Sequence, residues 1–78
     1  MARVRLFGRA AQAAGTALDD ISAETVGGVL EQARVRYGEE YVRVAATCRV
    51  WLNGTDARMT DPVRPDDEVA LLPPVSGG

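Results

Sequence analysis

The sequence predicts an α+β fold, a mixed sheet of about four to five strands with one main helix packed across it. Three observations carry that reading. Short apolar–polar alternations stand near both ends of the chain, a single helical stripe lies between them, and 78 residues at 8.3 kDa leave room for one small domain. With 46% apolar and 26% charged residues, the chain can bury a modest core, which argues against disorder and a fibrous fold.

Residues 2–7 read as the first strand, because Val4 and Leu6 alternate with Arg3 and Arg5, and Gly8 ends it. The alanine-rich residues 9–14 could form a helical turn, but Gly15 and Thr16-Ala17-Leu18 favour a loop returning into a second strand over 16–21. Thr25 is the expected N-cap of the main helix, whose stripe is Val26, Val29, Leu30, Ala33 and Tyr37. Gly38 is its left-handed stop, while Gly27 and Gly28 weaken the first turn by about 1 kcal/mol each relative to alanine. Residues 48–52 form the third strand, and Asn53-Gly54 is a type I′ turn signal leading to a short return strand near 57–59. Asp61-Pro62 and Pro65-Asp66-Asp67 are turns before a last strand over 68–72.

Composition then removes most chemistry. Arginine supplies all nine basic residues, and against eleven acids the net charge is −2, which argues against nonspecific grip on nucleic acid or anionic membrane. With no histidine and one cysteine, Cys48, the chain lacks zinc sites, Ser-His-Asp or Cys-His arrangements and any internal disulfide framework. That cysteine usage, with Val69-Ala70-Leu71-Leu72 far too short to span a bilayer and no apolar leader at the start, predicts a soluble, cytoplasmic protein. Cys48 alternates with core positions and reads as a buried thiol; Asp66-Asp67-Glu68 diverge and read as a turn, so no metal site is expected. The arginines read as solvated face charges. Either the chain has no chemistry of its own, or its reactive group is not a side chain.

The distinctive segment is Pro73-Pro74-Val75-Ser76-Gly77-Gly78, which holds two of the four prolines and two of the eight glycines. A frayed terminus is its bland reading. Against that, two successive prolines fix φ directly after an apolar strand, so a domain over residues 1–72 hands over to a flexible tail, 73–78, with a stiff and aimed beginning. From Val75 the chain extends at most about 13 Å, enough to thread a narrow channel in a partner. Ordering two glycines costs about 1–2 kcal/mol of backbone entropy per residue or more, which requires a docking surface elsewhere. Alternation locates one: if Val4, Leu6, Val50, Leu52, Val69 and Leu71 face the helix, then Phe7, Trp51 and Leu72 lie on the other face. Alternatively, residues 9–14 cover Trp51.

The strand order, Thr25-Val26-Gly27, Asn53-Gly54, Asp67-Glu68-Val69-Ala70 and above all the Pro-Pro-Val-Ser-Gly-Gly terminus resemble the MoaD/ThiS family of ubiquitin-like sulfur carriers, in particular its MoaD branch, the molybdopterin synthase small subunits. The resemblance implies a β-grasp fold and places the chemistry on Gly78, with Gly77 beside it. In such carriers the terminal carboxylate is adenylated, converted to a thiocarboxylate and used as a sulfur donor in molybdenum cofactor biosynthesis. It also implies partners: an adenylating MoeB-like activating enzyme that consumes ATP, a sulfur-donating enzyme, and a MoaE-like molybdopterin synthase large subunit that supplies the catalytic side chains. Phe7, Trp51, Leu72, Pro73, Pro74, Val75 and Ser76 are then the partner-binding residues. No cofactor is expected on this chain. A carrier for cysteine or thiamine synthesis, a ubiquitin-like protein modifier and a β-grasp interaction module with an inert tail remain as alternatives. A β-grasp ferredoxin is excluded, because one cysteine cannot hold an iron–sulfur cluster.

Overall fold

The structure, a computed structural model, describes residues 1–74. In chain order the elements are β1 (Ala2–Leu6), α1 (Gly8–Ala14), β2 (Leu18–Ile21), α2 (Val26–Tyr37), α3 (Glu39–Ala45), β3 (Arg49–Leu52), β4 (Thr55–Asp56) and β5 (Glu68–Leu72). The five strands form one sheet in the order β2-β1-β5-β3-β4. Only the central β1–β5 pair is parallel; the other pairs are antiparallel, so the sheet is mixed as expected.

One sheet face is closed by helix. Val4, Leu6, Val69 and Leu71 point inward and meet Val26, Val29 and Ala33 of α2, all buried, with Val50 and Leu52 packed at the margin of the same core. Apolar residues three and four apart on α2 therefore bury as one stripe. Thr25 caps α2 through its side chain, which accepts from the Gly28 N–H at 3.0 Å. The glycines behind that cap have a packing reason. Gly27 donates its N–H to the Met59 carbonyl at 2.8 Å, and a Cβ on Gly27 would stand 3.0 Å from that same oxygen. Close approach of the 58–63 loop thus excludes a side chain where helix propensity alone favours alanine.

Three elements depart from the sequence reading. Residues 9–14 are helical rather than a loop, because Ala10 is buried in the core and Gly15 closes the turn at φ 79° by donating to the Ala11 carbonyl. α3 is a second unexpected helix. Gly38, at φ 93°, ends α2, and its carbonyl accepts from Val42 N–H, so one residue stops a helix and starts the next. Tyr41 is what α3 buries, 2% exposed, with its ring edge-on to Tyr37 at 5.1 Å between centroids. The return strand is Thr55–Asp56 instead of 57–59. Asn53 and Gly54 occupy φ 52° and 87°, a two-residue turn that places Thr55 directly opposite Leu52.

Edge strand β2 is tied to α2 by charge. Asp19 accepts hydrogen bonds from the Tyr37 hydroxyl and the Arg36 guanidinium, and these, the tyrosine first, hold its carboxyl below the usual range. Among the described residues, no helix is long and apolar enough to cross a membrane.

Leu71, 0% exposed, sits where β1, β5 and the helix layer meet. Leu71→Ala is expected to cost about 2–5 kcal/mol, read as a fall in the urea midpoint at unchanged m value. A loss below about 1 kcal/mol would contradict this placement of the core.

Candidate functional site

The exit of β5 is built by three neighbours. Leu72 pairs with Arg49 of β3 on one side, Phe7 donates its N–H to the Leu71 carbonyl at 3.2 Å on the other, and Pro73 lies against Gly8. Pro73 and Pro74 carry no N–H, so the ladder stops there. The strand therefore ends at a defined place, with Pro73 half-buried and Pro74 exposed. Val75, Ser76, Gly77 and Gly78 lie outside the described residues.

Register decides where that exit falls, because a slip of one residue moves the end of β5 by about 3.3 Å and exchanges the faces of Leu71 and Leu72. Asn53 pins it. Its side-chain amide donates to Asp67 Oδ1 at 2.9 Å, its side-chain oxygen accepts from Glu68 N–H at 2.9 Å, and its own N–H donates to the Glu68 carbonyl at 2.8 Å. Asp67 in turn accepts from Arg64 N–H at 2.8 Å; that bond first, and the Asn53 amide second, hold its carboxyl below the usual range.

Phe7, Trp51 and Leu72 share the sheet face opposite the helices. The registers align Leu18, Arg5, Ala70, Trp51 and Asp56 in one row across all five strands. The next row toward the exit continues with Phe7, Leu72 and Arg49. Phe7 is 41% exposed and Leu18 52%, while Leu72 and Trp51 are half-buried and Ala70 is 8% exposed. α1 packs on α3 and β5 with Ala10 in the core, on the helix side, and so does not roof Trp51. The indole Nε1 is nonetheless shielded from solvent without a hydrogen-bond partner among the described residues.

Ala70 lies on this face as the alternation of β5 places it, and Leu18 joins it without having been expected there. For Leu18 the sequence carries no signal: only its pairing with Arg5 shows which way it points. Two ion pairs lie on this face, Arg5–Glu68 at 3.3 Å with Arg5 between Leu18 and Ala70, and Arg49–Asp56 at 3.9 Å beside Trp51. Being exposed, they contribute orientation more than stability. An apolar groove of about 450 Å³ between α2 and α3, floored by Tyr41 and Leu71, lies on the other side of the sheet.

Few side chains here can do chemistry. Cys48 is half-buried, donates weakly to the Val44 carbonyl at 3.4 Å and has its thiol pushed up by burial, with Arg9 opposing. Among the described residues, no group of three or more carboxylate, thiol or imidazole side chains is placed to hold a metal ion. What the site offers is a strand aimed off the sheet beside an apolar face.

Comparison with known proteins supplies the next constraint. The sequence model of the ThiS family matches residues 4–78. A search of curated protein sequences finds no match. Among solved structures, SAMP1 from Haloferax volcanii shares 30% identity at a TM-score of 0.81, covering 99% of this chain and 98% of its own. The small archaeal modifier protein 1 from Methanosarcina acetivorans shares 26% at a TM-score of 0.86, covering 99% and 95%. Subunits 1 and 2 of the molybdopterin-converting factor from Helicobacter pylori form a complex that matches at 26% identity and a TM-score of 0.72, covering 99% and 97%.

Asp19 and Asp67 both have carboxyls held below their ordinary value in the folded state. Their contribution to stability is therefore complete above the unfolded value of about 4 and lost as pH falls through the folded values. The double substitution Asp19→Asn, Asp67→Asn should flatten the fall in melting temperature below about pH 4. An acid limb as steep as that of the unsubstituted chain would show that these carboxyls are not the groups responsible.

Proposed function

The chain belongs to the ThiS family of ubiquitin-like sulfur carriers, and on that footing we propose that it is the sulfur carrier of molybdopterin synthesis. The observation that carries this reading is the terminal Pro73-Pro74-Val75-Ser76-Gly77-Gly78, leaving a register-locked strand beside an apolar face. Gly78 supplies the reacting group. Its α-carboxylate, with a pKa of roughly 3.5, is an anion at neutral pH and a poor electrophile. Attack of that carboxylate on the α-phosphorus of ATP, bound by a MoeB-like activating enzyme, releases pyrophosphate and leaves an acyl-adenylate. Hydrosulfide supplied by a sulfur-donating enzyme then attacks the carbonyl carbon, the C–O bond to AMP breaks, and loss of the S–H proton to water leaves a thiocarboxylate.

The domain's own work is delivery. Four residues beyond Pro74 reach at most about 13 Å, which suits a narrow channel, and two terminal glycines present no side chain to its walls. Phe7, Trp51 and Leu72, with Leu18 beside them, supply contacts that offset the entropy of ordering this tail. A MoaE-like large subunit provides the catalytic side chains and the pterin precursor, in keeping with a carrier devoid of histidine and lysine. The complex of the two converting-factor subunits from Helicobacter pylori supports a protein partner of this kind.

A second reading is supported by the likeness to SAMP1, a small archaeal modifier protein: the activated Gly78 is captured by a lysine of another protein as an isopeptide. Both readings share adenylation and part at the acceptor.

Incubation with ATP, the activating enzyme and a sulfur source should raise the intact mass by the exchange of one oxygen for sulfur at Gly78. No gain with an authentic activator would sink the carrier reading. Addition of the large subunit and pterin precursor should then consume the thiocarboxylate; consumption only in another sulfur pathway, or capture by target lysines, reassigns the acceptor. Leu72→Asp should weaken partner binding roughly tenfold or more while the chain stays folded. Unfolding of that variant would place Leu72 in the core.

A further inference from the structure

We infer that this fold is built so that its own activated C-terminus finds no amine or thiolate acceptor on it: the end of the molecule from which the tail leaves carries no lysine and no exposed thiol. The inference rests on the proposed activation of Gly78. It concerns a hazard of that chemistry, since a nearby amine attacking the Gly78 carbonyl carbon would form a C–N bond, expel AMP or sulfide, lose a proton to water and leave a dead-end ring.

Charge is kept at the exit without nucleophilicity. All nine cationic side chains are arginines and all nine are exposed, so any of them, as lysine, would present a free amine. A guanidinium stays protonated at any accessible pH and does not acylate. Position 9 matters most. Arg9 follows Gly8, against which Pro73 packs, and its guanidinium acts on Cys48; Cys48 in turn precedes Arg49, the partner of Leu72. Both residues therefore lie within the roughly 13 Å that the four residues after Pro74 can span.

Cys48 is the one thiol at this end, and the core withdraws it. It is half-buried, hydrogen-bonded to the Val44 carbonyl and held as the thiol by burial, whereas acyl capture requires thiolate. The phenols are shielded too: Tyr41 is buried with its hydroxyl pushed up to about 12, and Tyr37 is engaged by Asp19.

Topology also keeps the start of β1 away from the exit. Because β1 and β5 are parallel, Met1 stands beside Asp66 and Glu68 where β5 begins, while the tail leaves where β5 ends. The five residues of β1 separate the two points by about 16 Å, beyond the tail's remaining reach.

The test uses the full chain carrying a chemically installed aryl thioester at Gly78, so that it needs no activating enzyme. At mildly alkaline pH and low concentration the unsubstituted chain should decay to the free acid alone. Arg9→Lys should yield a species one water lighter than the free acid, with the new amide mapped by fragmentation to position 9. Arg3→Lys, at the far end of β1, should yield roughly tenfold less of it or none. Ring formation by the unsubstituted chain at a rate matching hydrolysis would overturn the inference. So would equal cyclisation of Arg9→Lys and Arg3→Lys. A negative enzymatic sulfur-exchange result, with these outcomes as expected, would count against the carrier reading and not against the cleared exit.

Discussion

The parallel pairing of β1 with β5 is the contact from which the rest of the architecture follows. A parallel pair cannot be joined by a tight turn, so the chain between the two strands must cross the sheet, which it does through α2 between the β2 and β3 sides, on the face that α1 and α3 also cover. Being central, β1 and β5 bury Val4, Leu6, Val69 and Leu71 completely or nearly so, and the antiparallel strands add on either side. The same pairing sets the polarity of the molecule. It puts the chain's start at one end of the sheet and the departure of its last residues at the other.

On the proposed function, the problem this domain solves is one of aim rather than of catalysis. Asn53, Asp67 and Glu68 hold β5 at its beginning, and the proline pair prevents the ladder from running past Leu72. Between those limits the strand has no freedom to slide. The apolar residues of the outer face gather toward the same end, next to the exit, with exposed ion pairs set among and beside them. The apolar patch and the exit of β5 thus share one edge of the fold, the arrangement that the proposed docking and delivery call for.

Much of this was legible before folding. The strand at 68–72 alternates cleanly and is closed by prolines, the α2 stripe repeats at three and four, and Asn53-Gly54 permits few turns other than the one it makes. Each of these signals is local, carried by residues within a turn or two of one another. α1 and α3 escaped for the opposite reason. Both are seven residues long, too short to be stable by propensity, and they exist because Ala10 and Tyr41 are buried by distant parts of the chain. In α3 the spacing of Tyr41, Val42 and Ala45 was a readable trace, masked by the glycine that separates it from α2.

The candidate site divides in the same way. The identity of the terminal residues, the absence of lysine and histidine, and the alternation that puts Phe7, Trp51 and Leu72 on one face belong to the sequence, because composition and the period of a strand are properties of neighbouring residues. Which residues surround the exit does not. That Arg9, Cys48 and Gly8 stand beside the departing strand, that Leu18 joins the outer face, and that Met1 lies at the far end are consequences of strand order and direction. Pairing between segments more than sixty residues apart decides those positions, and no local pattern encodes which strand a segment will choose.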